Sequence, residues 1–282
     1  MKVKNYLTLK VFVFLSCIIM SCGDKGNQIL DALKPAFEVI TPEQEYYIGR
    51  SVAANIIKQY SLYKEDNLTG DALTQYLNKI CAAITINSPR PDVYNGYHVA
   101  ILNSEEVNAF STPGGHIFVT LGLIRLAKDA GSEDALAGVI AHEVAHIQLQ
   151  HGIKAIQTDR LTKALIITAV TGIGAATGMD FNDITNVFID TVGDIFNNVV
   201  NDKYSRQQEF EADTKALSLL KDAGYNQSGL MDMLNKLPEN KFGGTHPTRA
   251  ERIANATVPA GTPNTARKTR FDTALNSLPA KS

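Results

Sequence analysis

Two histidines and a glutamate sit inside an otherwise apolar helical segment, and that conflict limits what the chain can become. Leu136, Val139, Ile140, Val144 and Ile147 surround His142-Glu143-Val144-Ala145-His146. Residues four apart on an α-helix leave the same face, so both imidazoles can reach one metal ion. Two histidines and a carboxylate among aliphatic side chains are costly unless a metal or a partner satisfies them. Ser132 caps this helix, Glu133 and Asp134 suit its first turn, and Gly152 stops it just past His151. A zinc ion held by His142 and His146 lowers the pKa of a water to roughly 7. Glu143 can take that proton as general base and pass it to a leaving amine.

A catalytic zinc needs a third protein ligand and one open position. Three residues compete for the role. His151 lies nine residues beyond His142 and faces the opposite side of a continuous helix, where it suits the C-terminal end of the dipole. His246 precedes Pro247 in a loop. Glu209 lies in Ser205-Arg206-Gln207-Gln208-Glu209-Phe210-Glu211-Ala212-Asp213 and shares a helical face with Asp213. Glu209 could bind the ion while Asp213 accepts the outer N–H of a ligating histidine. Spacing alone fits a capped, charge-decorated helix equally well. Glu211 points elsewhere on that helix, toward solvent.

Around these residues the pattern is mixed. Thr41 caps a helix running to about Tyr60, with Pro42 in its first turn and Gln44 completing a capping box. Asp71 starts a second helix to about Ile86, in which Cys81 reads as a buried thiol. Tyr97 to Leu102 reads as a strand, and 108–112 and 116–120 as a hairpin about Pro113-Gly114-Gly115. Leu121 to Asp129 is helical, as is Tyr204 to Ala223. The glycine-interrupted run Ala164 to Met179 reads as a buried or membrane-touching hairpin rather than a span. His98 and His116 have no partner pattern and read as structural. Gly261 to Ser282 reads as a weakly ordered tail.

The N-terminus adds a location. Lys2, Lys4 and Lys10 precede the apolar run Val11 to Met20, too short to span a bilayer but suited to a signal peptide. Ile19-Met20-Ser21-Cys22 follows the pattern of a lipobox, which would leave Cys22 as the acylated first residue. Losing residues 1–21 removes three lysines and no acid, taking the formal charge from −2 to −5. Nothing in that charge favours nucleic acid as a partner.

Four segments in order resemble one family. HEVAHIQLQHG, SRQQEFEAD some sixty residues later, NAFSTPGG upstream (Asn108 to Gly115), and Thr245-His246-Pro247 with Arg252-Ile253 are similar to the gluzincin peptidases that include HtpX and the CAAX prenyl proteases. The likeness covers about residues 41 to 255 and is strongest to periplasmic lipoprotein and barrel-assembly-enhancing members. Unlike HtpX-like members, the chain is expected to have no membrane span after its signal, and no helical-repeat domain like that of the barrel-assembly member.

The resemblance implies an α+β fold: a mainly helical zincin-like domain with a small sheet beside the His142–His146 helix. Together with the N-terminal signals it divides the chain into a signal peptide at 1–21, a tether at 22–40, a protease domain at 41–258 and a tail at 259–282. One Zn2+ per chain would be held by His142, His146 and Glu209. Glu143 would be the base, with Asp213 and Arg252 behind the ligands. His246 would lie over the zinc, stabilising the oxyanion or closing the open position in a resting state. Asn108, Ala109 and Phe110 would offer an edge to an extended substrate. The implied protein is a lipid-anchored endopeptidase on the periplasmic face of a bacterial envelope, with the outer membrane favoured over the inner. Unfolded or misassembled envelope proteins would be its substrates.

Overall fold

The first helix, α1 (Pro42–Gln59), begins with the expected reciprocal cap. The Gln44 N–H donates to the Thr41 hydroxyl at 3.2 Å and the Thr41 N–H to the Gln44 side chain at 3.0 Å. The computed structural model describes residues 40–63, 72–154, 192–197, 200, 204–237 and 247–279 except 257, 260 and 263. Apart from Ile40 and Lys154, these fall in one unit, Thr41–Ile153 with Val192–Ser282. The signal and lipidation readings at 1–22, the tether through residue 39, the Asp71 cap, the Ala164–Met179 run and His246 lie outside the described residues. No helix among the described residues is long and apolar enough to cross a membrane.

α2 (Ala72–Thr85) turns Leu73, Leu77, Ile80, Cys81 and Ile84 inward at helical spacing. The sheet has three strands, β1 (His98–Leu102), β2 (Ala109–Ser111) and β3 (His116–Thr120), in the order β1-β3-β2. β3 is central, parallel to β1 and antiparallel to β2, with Phe110 opposite Phe118. The expected hairpin is therefore present, closed by a 3₁₀ turn over Pro113–Gly115. Gly49 lets α1 lie against that turn, because a Cβ there would sit 1.6 Å from the Pro113 carbonyl oxygen.

Thr120 ends β3 and caps α3 (Leu121–Ala130) by accepting from the Leu123 N–H. Gly131, at φ 72°, stops α3 in the left-handed region that glycine favours. α4 (Glu133–Gln148) then runs through the core. Leu136, Ile140 and Val144 are fully buried among residues of α2, the sheet, α5 (Arg206–Asp222) and α6 (Ser228–Lys236). Each such side chain contributes about 1.5–3 kcal/mol of apolar transfer free energy. Gly138 faces the α6 backbone so closely that a Cβ would fall 2.7 Å from Leu230.

Two expectations change. α4 ends at Gln148 rather than His151, and Gln150 takes φ 56° before the chain resumes a helical turn at His151. That left-handed residue costs roughly 1 kcal/mol. The Gln150 amide donates to Glu45 at 3.1 Å, which offsets it. The segment read as a weakly ordered tail instead contains α8 (Thr265–Ala274), preceded by the short α7 (Arg249–Asn255). α8 is polar almost throughout, so its pattern carries little signal. It is anchored by buried Phe271 and by two arginines. Arg270 pairs with Glu133, which also accepts from Tyr76 at 2.7 Å, and Arg267 pairs with Asp134 at 3.1 Å.

Cys81 is 1% exposed, and burial pushes its thiol up to about 12. Native protein at pH 8 should leave Cys81 unmodified by iodoacetamide, whereas denatured protein labels fully, as read by peptide mass spectrometry. Gly49→Ala should destabilise the fold by about 1–3 kcal/mol in urea unfolding, the cost of forcing a side chain into packed backbone.

Candidate metal centre

α4 brings His142 and His146 to one face, and α5 lies across that face. Their Nε2 atoms are 3.1 Å apart. Glu209, in the first turn of α5, places Oε2 at 3.6 Å from His142 Nε2 and Oε1 at 3.4 Å from His146 Nε2. Tetrahedral bonds of about 2.0–2.1 Å set ligand atoms about 3.3–3.4 Å apart. The observed separations, 3.1 Å between the two nitrogens and 3.6 and 3.4 Å from each to a different Glu209 oxygen, lie near that value. Among the described residues this is the one group of three His, Cys, Asp or Glu side chains able to share an ion. His142, His146 and Glu209 are all buried.

The surrounding charge fits a divalent cation. Glu143, Glu209 and Asp213 are buried carboxylates, and Arg252 is the one buried guanidinium facing them among the described residues. With neutral histidines the cluster is two negative charges in excess, which a dication balances.

Each ligand is held from behind. Asp213 lies one turn beyond Glu209, and its Oδ1 is 2.9 Å from His142 Nδ1. Arg252, from α7, donates through Nε to Asp213 Oδ2 at 2.9 Å and through Nη2 to Oδ1 at 2.6 Å, a bidentate pair. Its Nη1 lies 3.9 Å from Glu209 Oε2. Burial raises the Asp213 carboxyl, but Arg252 and His142 outweigh it and hold it near 2. Burial likewise acts against the Glu209 carboxylate, yet its two histidine partners keep it well below the ordinary value. Burial and Arg252 push His142 down, and the bonds to Asp213 and Glu209 prevail, raising it to about 9.

His146 is held differently. Its Nδ1 lies 2.9 Å from Nδ1 of His151, which is fully buried. The expectation that His151 faces away from the centre is thus corrected. A continuous helix would turn it away, and the left-handed Gln150 swings it back. Tyr204 stacks on His146 with ring centroids 4.3 Å apart and planes 17° apart. Nothing in the sequence pattern singled out Tyr204, which stands just ahead of the Ser205 cap. Glu211, expected to face only solvent, places Oε2 at 3.5 Å from His151 Nε2.

Glu143 opens into the same cavity of about 100 Å³ as the ligands. Val107 to Ser111 line one side of that cavity. Asn108 and Ala109 are half-buried, whereas Phe110 is 1% exposed with its ring 5.5 Å from Tyr60. Val139, Leu230, Met233 and Leu234 add an apolar wall. His98 and His116 lie elsewhere, at the start of β1 and β3, with rings 6.3 Å apart.

Residues 71–260 match peptidase family M48. The chain belongs to that family. It is 27% identical to the mitochondrial metalloendopeptidase OMA1 of Schizosaccharomyces pombe over 64% of this chain and 51% of that protein. It is 29% identical to the metalloprotease LoiP of Escherichia coli over 53% of this chain and 57% of that protein. It is 26% identical to the beta-barrel assembly-enhancing protease of Escherichia coli over 65% of this chain and 38% of that protein. The chain thus spans little more than half the length of these curated relatives, or less. M48 peptidases are zinc-dependent, and the donor set of this M48 chain suits that ion.

Arg252→Met would leave Asp213 buried without its cation and should cost about 3–5 kcal/mol in urea unfolding. Asp213 titrates near 2 in the fold against an ordinary 3.8. Its stabilisation is therefore complete above the ordinary value and is lost as pH falls through the folded one. Chelator-treated Asp213→Asn should lose less stability than wild type between pH 5 and pH 2.

Proposed function

We propose that this chain is a zinc metalloendopeptidase. The observation that carries the reading is the convergence of His142, His146 and Glu209, their ligand atoms within 4.8 Å of one another, beside Glu143 in one cavity. The zinc, when bound, supplies a Lewis acid that makes a water acidic enough to attack and polarises the scissile carbonyl. Glu143 takes one proton from the attacking water onto its carboxylate and delivers it to the amide nitrogen as the C–N bond breaks. Asp213, backed by Arg252, accepts the outer N–H of His142 and keeps its Nε2 lone pair aimed at the ion.

An extended peptide would add beside β2, presenting its backbone to Asn108, Ala109 and Phe110. The support is that these residues line the cavity holding Glu143. His246 stands on its sequence motif and is assigned to the transition-state oxyanion.

Cys22 is the proposed lipid anchor, and the bacterial envelope the setting. Support comes from the lipobox-like Ile19-Met20-Ser21-Cys22 and from likeness to a relative named as a beta-barrel assembly-enhancing protease. Unfolded or misassembled envelope proteins are the substrates in this reading.

Casein cleavage by the full chain should fall about 10²–10⁴-fold in Glu143→Gln with zinc content unchanged. No cleavage above background by either wild type or Glu143→Gln would instead leave a peptide-holding protein with a structural ion. His246→Ala should lower turnover at constant zinc content; a rise would mark His246 as a resting-state block.

A further inference from the structure

The two histidines of the centre are held by unlike partners. His142 Nδ1 meets a carboxylate locked by an arginine, whereas His146 Nδ1 meets a second, fully buried imidazole. An imidazole that gives Nε2 to a metal carries its proton on Nδ1. The 2.9 Å contact between the two Nδ1 atoms then has one consistent arrangement. His146 donates, His151 accepts at Nδ1, and the proton of His151 sits on Nε2. That Nε2 faces Glu211 Oε2 at 3.5 Å, while Gln207 donates to the other Glu211 oxygen at 2.9 Å.

We propose that His151 is a positioning residue for His146: it accepts the His146 Nδ1–H and fixes that ring's tautomer and plane, with its own Nε2 turned toward the Glu211 carboxylate. The backbone is shaped for the contact. On a continuous helix His151 would lie about 140° around from His146. Ending α4 at Gln148 and placing Gln150 at φ 56° brings it back. Tyr204 packs against both rings, at 4.3 Å from His146 and 5.8 Å from His151, and limits their tilt. The inference rests on the zinc centre proposed above.

Zinc affinity of the full chain, measured by competition with a chromogenic chelator, tests it apart from activity. His151→Leu removes the acceptor and should weaken zinc about 10- to 100-fold. His151→Asn puts a carbonyl oxygen where Nδ1 stood and should stay within about threefold of wild type. Glu211→Leu, at a position whose side chain is 46% exposed, should weaken zinc several-fold and keeps the test open if His151→Leu does not fold. Wild-type affinity in His151→Leu, or an Asn variant as weak as the Leu variant, overturns the role of His151. Should His151→Leu not fold, wild-type affinity in Glu211→Leu overturns it. In either case the zinc centre stands if Glu209→Ala still loses zinc. Affinity that survives Glu209→Ala overturns the centre and the His151 role together.

Discussion

The excess of negative charge buried between α4 and α5 is the constraint on which the rest depends. With His142 and His146 neutral, the state in which they can ligate, three carboxylates lie in the core against one guanidinium, and ions held away from water carry a penalty of several kcal/mol each unless paired. Arg252 answers part of that penalty by gripping Asp213 with two nitrogens and approaching Glu209 with a third. The remainder is suited to a divalent ion at the three converging ligand atoms. Close packing of α4 and α5 keeps Glu209 within reach, and the Gly138 contact, one turn before His142, brings α6 against α4 beside the same cavity.

Much of this was legible in the residues. The i, i+4 histidines and the Glu209/Asp213 pair follow from helical periodicity, which a packed helix obeys whatever its surroundings. The capping signals at Thr41 and Ser132 gave true helix starts because a side chain meeting its own backbone is a local event. The hairpin around Pro113-Gly114-Gly115 was equally local, and the left-handed φ of 79° at Gly114 is what glycine supplies there.

What stayed hidden was non-local. His151 was read from a straight helix, and no residue type announces that a glutamine will adopt φ 56°. The cause lies far off in sequence. Glu45 of α1 accepts from Gln150 at 3.1 Å and pairs with Arg90 at 2.8 Å, and Arg90 also donates to the Ile147 carbonyl at 3.1 Å. Tyr204 was hidden likewise, since stacking on His146 depends on how the chain enters α5. α8 escaped notice because a polar helix held by Phe271 and two ion pairs has almost no apolar stripe to read.

The helix that carries His142 and His146 is braced at both ends by parts of the chain remote from it. Glu45 and Arg90 secure its last turn, while Arg267 and Arg270 secure its first through Asp134 and Glu133. It behaves as a beam resting on two piers rather than a rod fixed at its middle. Trimming the polar residues beyond Asn264, which composition alone would call dispensable, therefore takes away one pier and loosens the ligand geometry about a dozen residues along the beam.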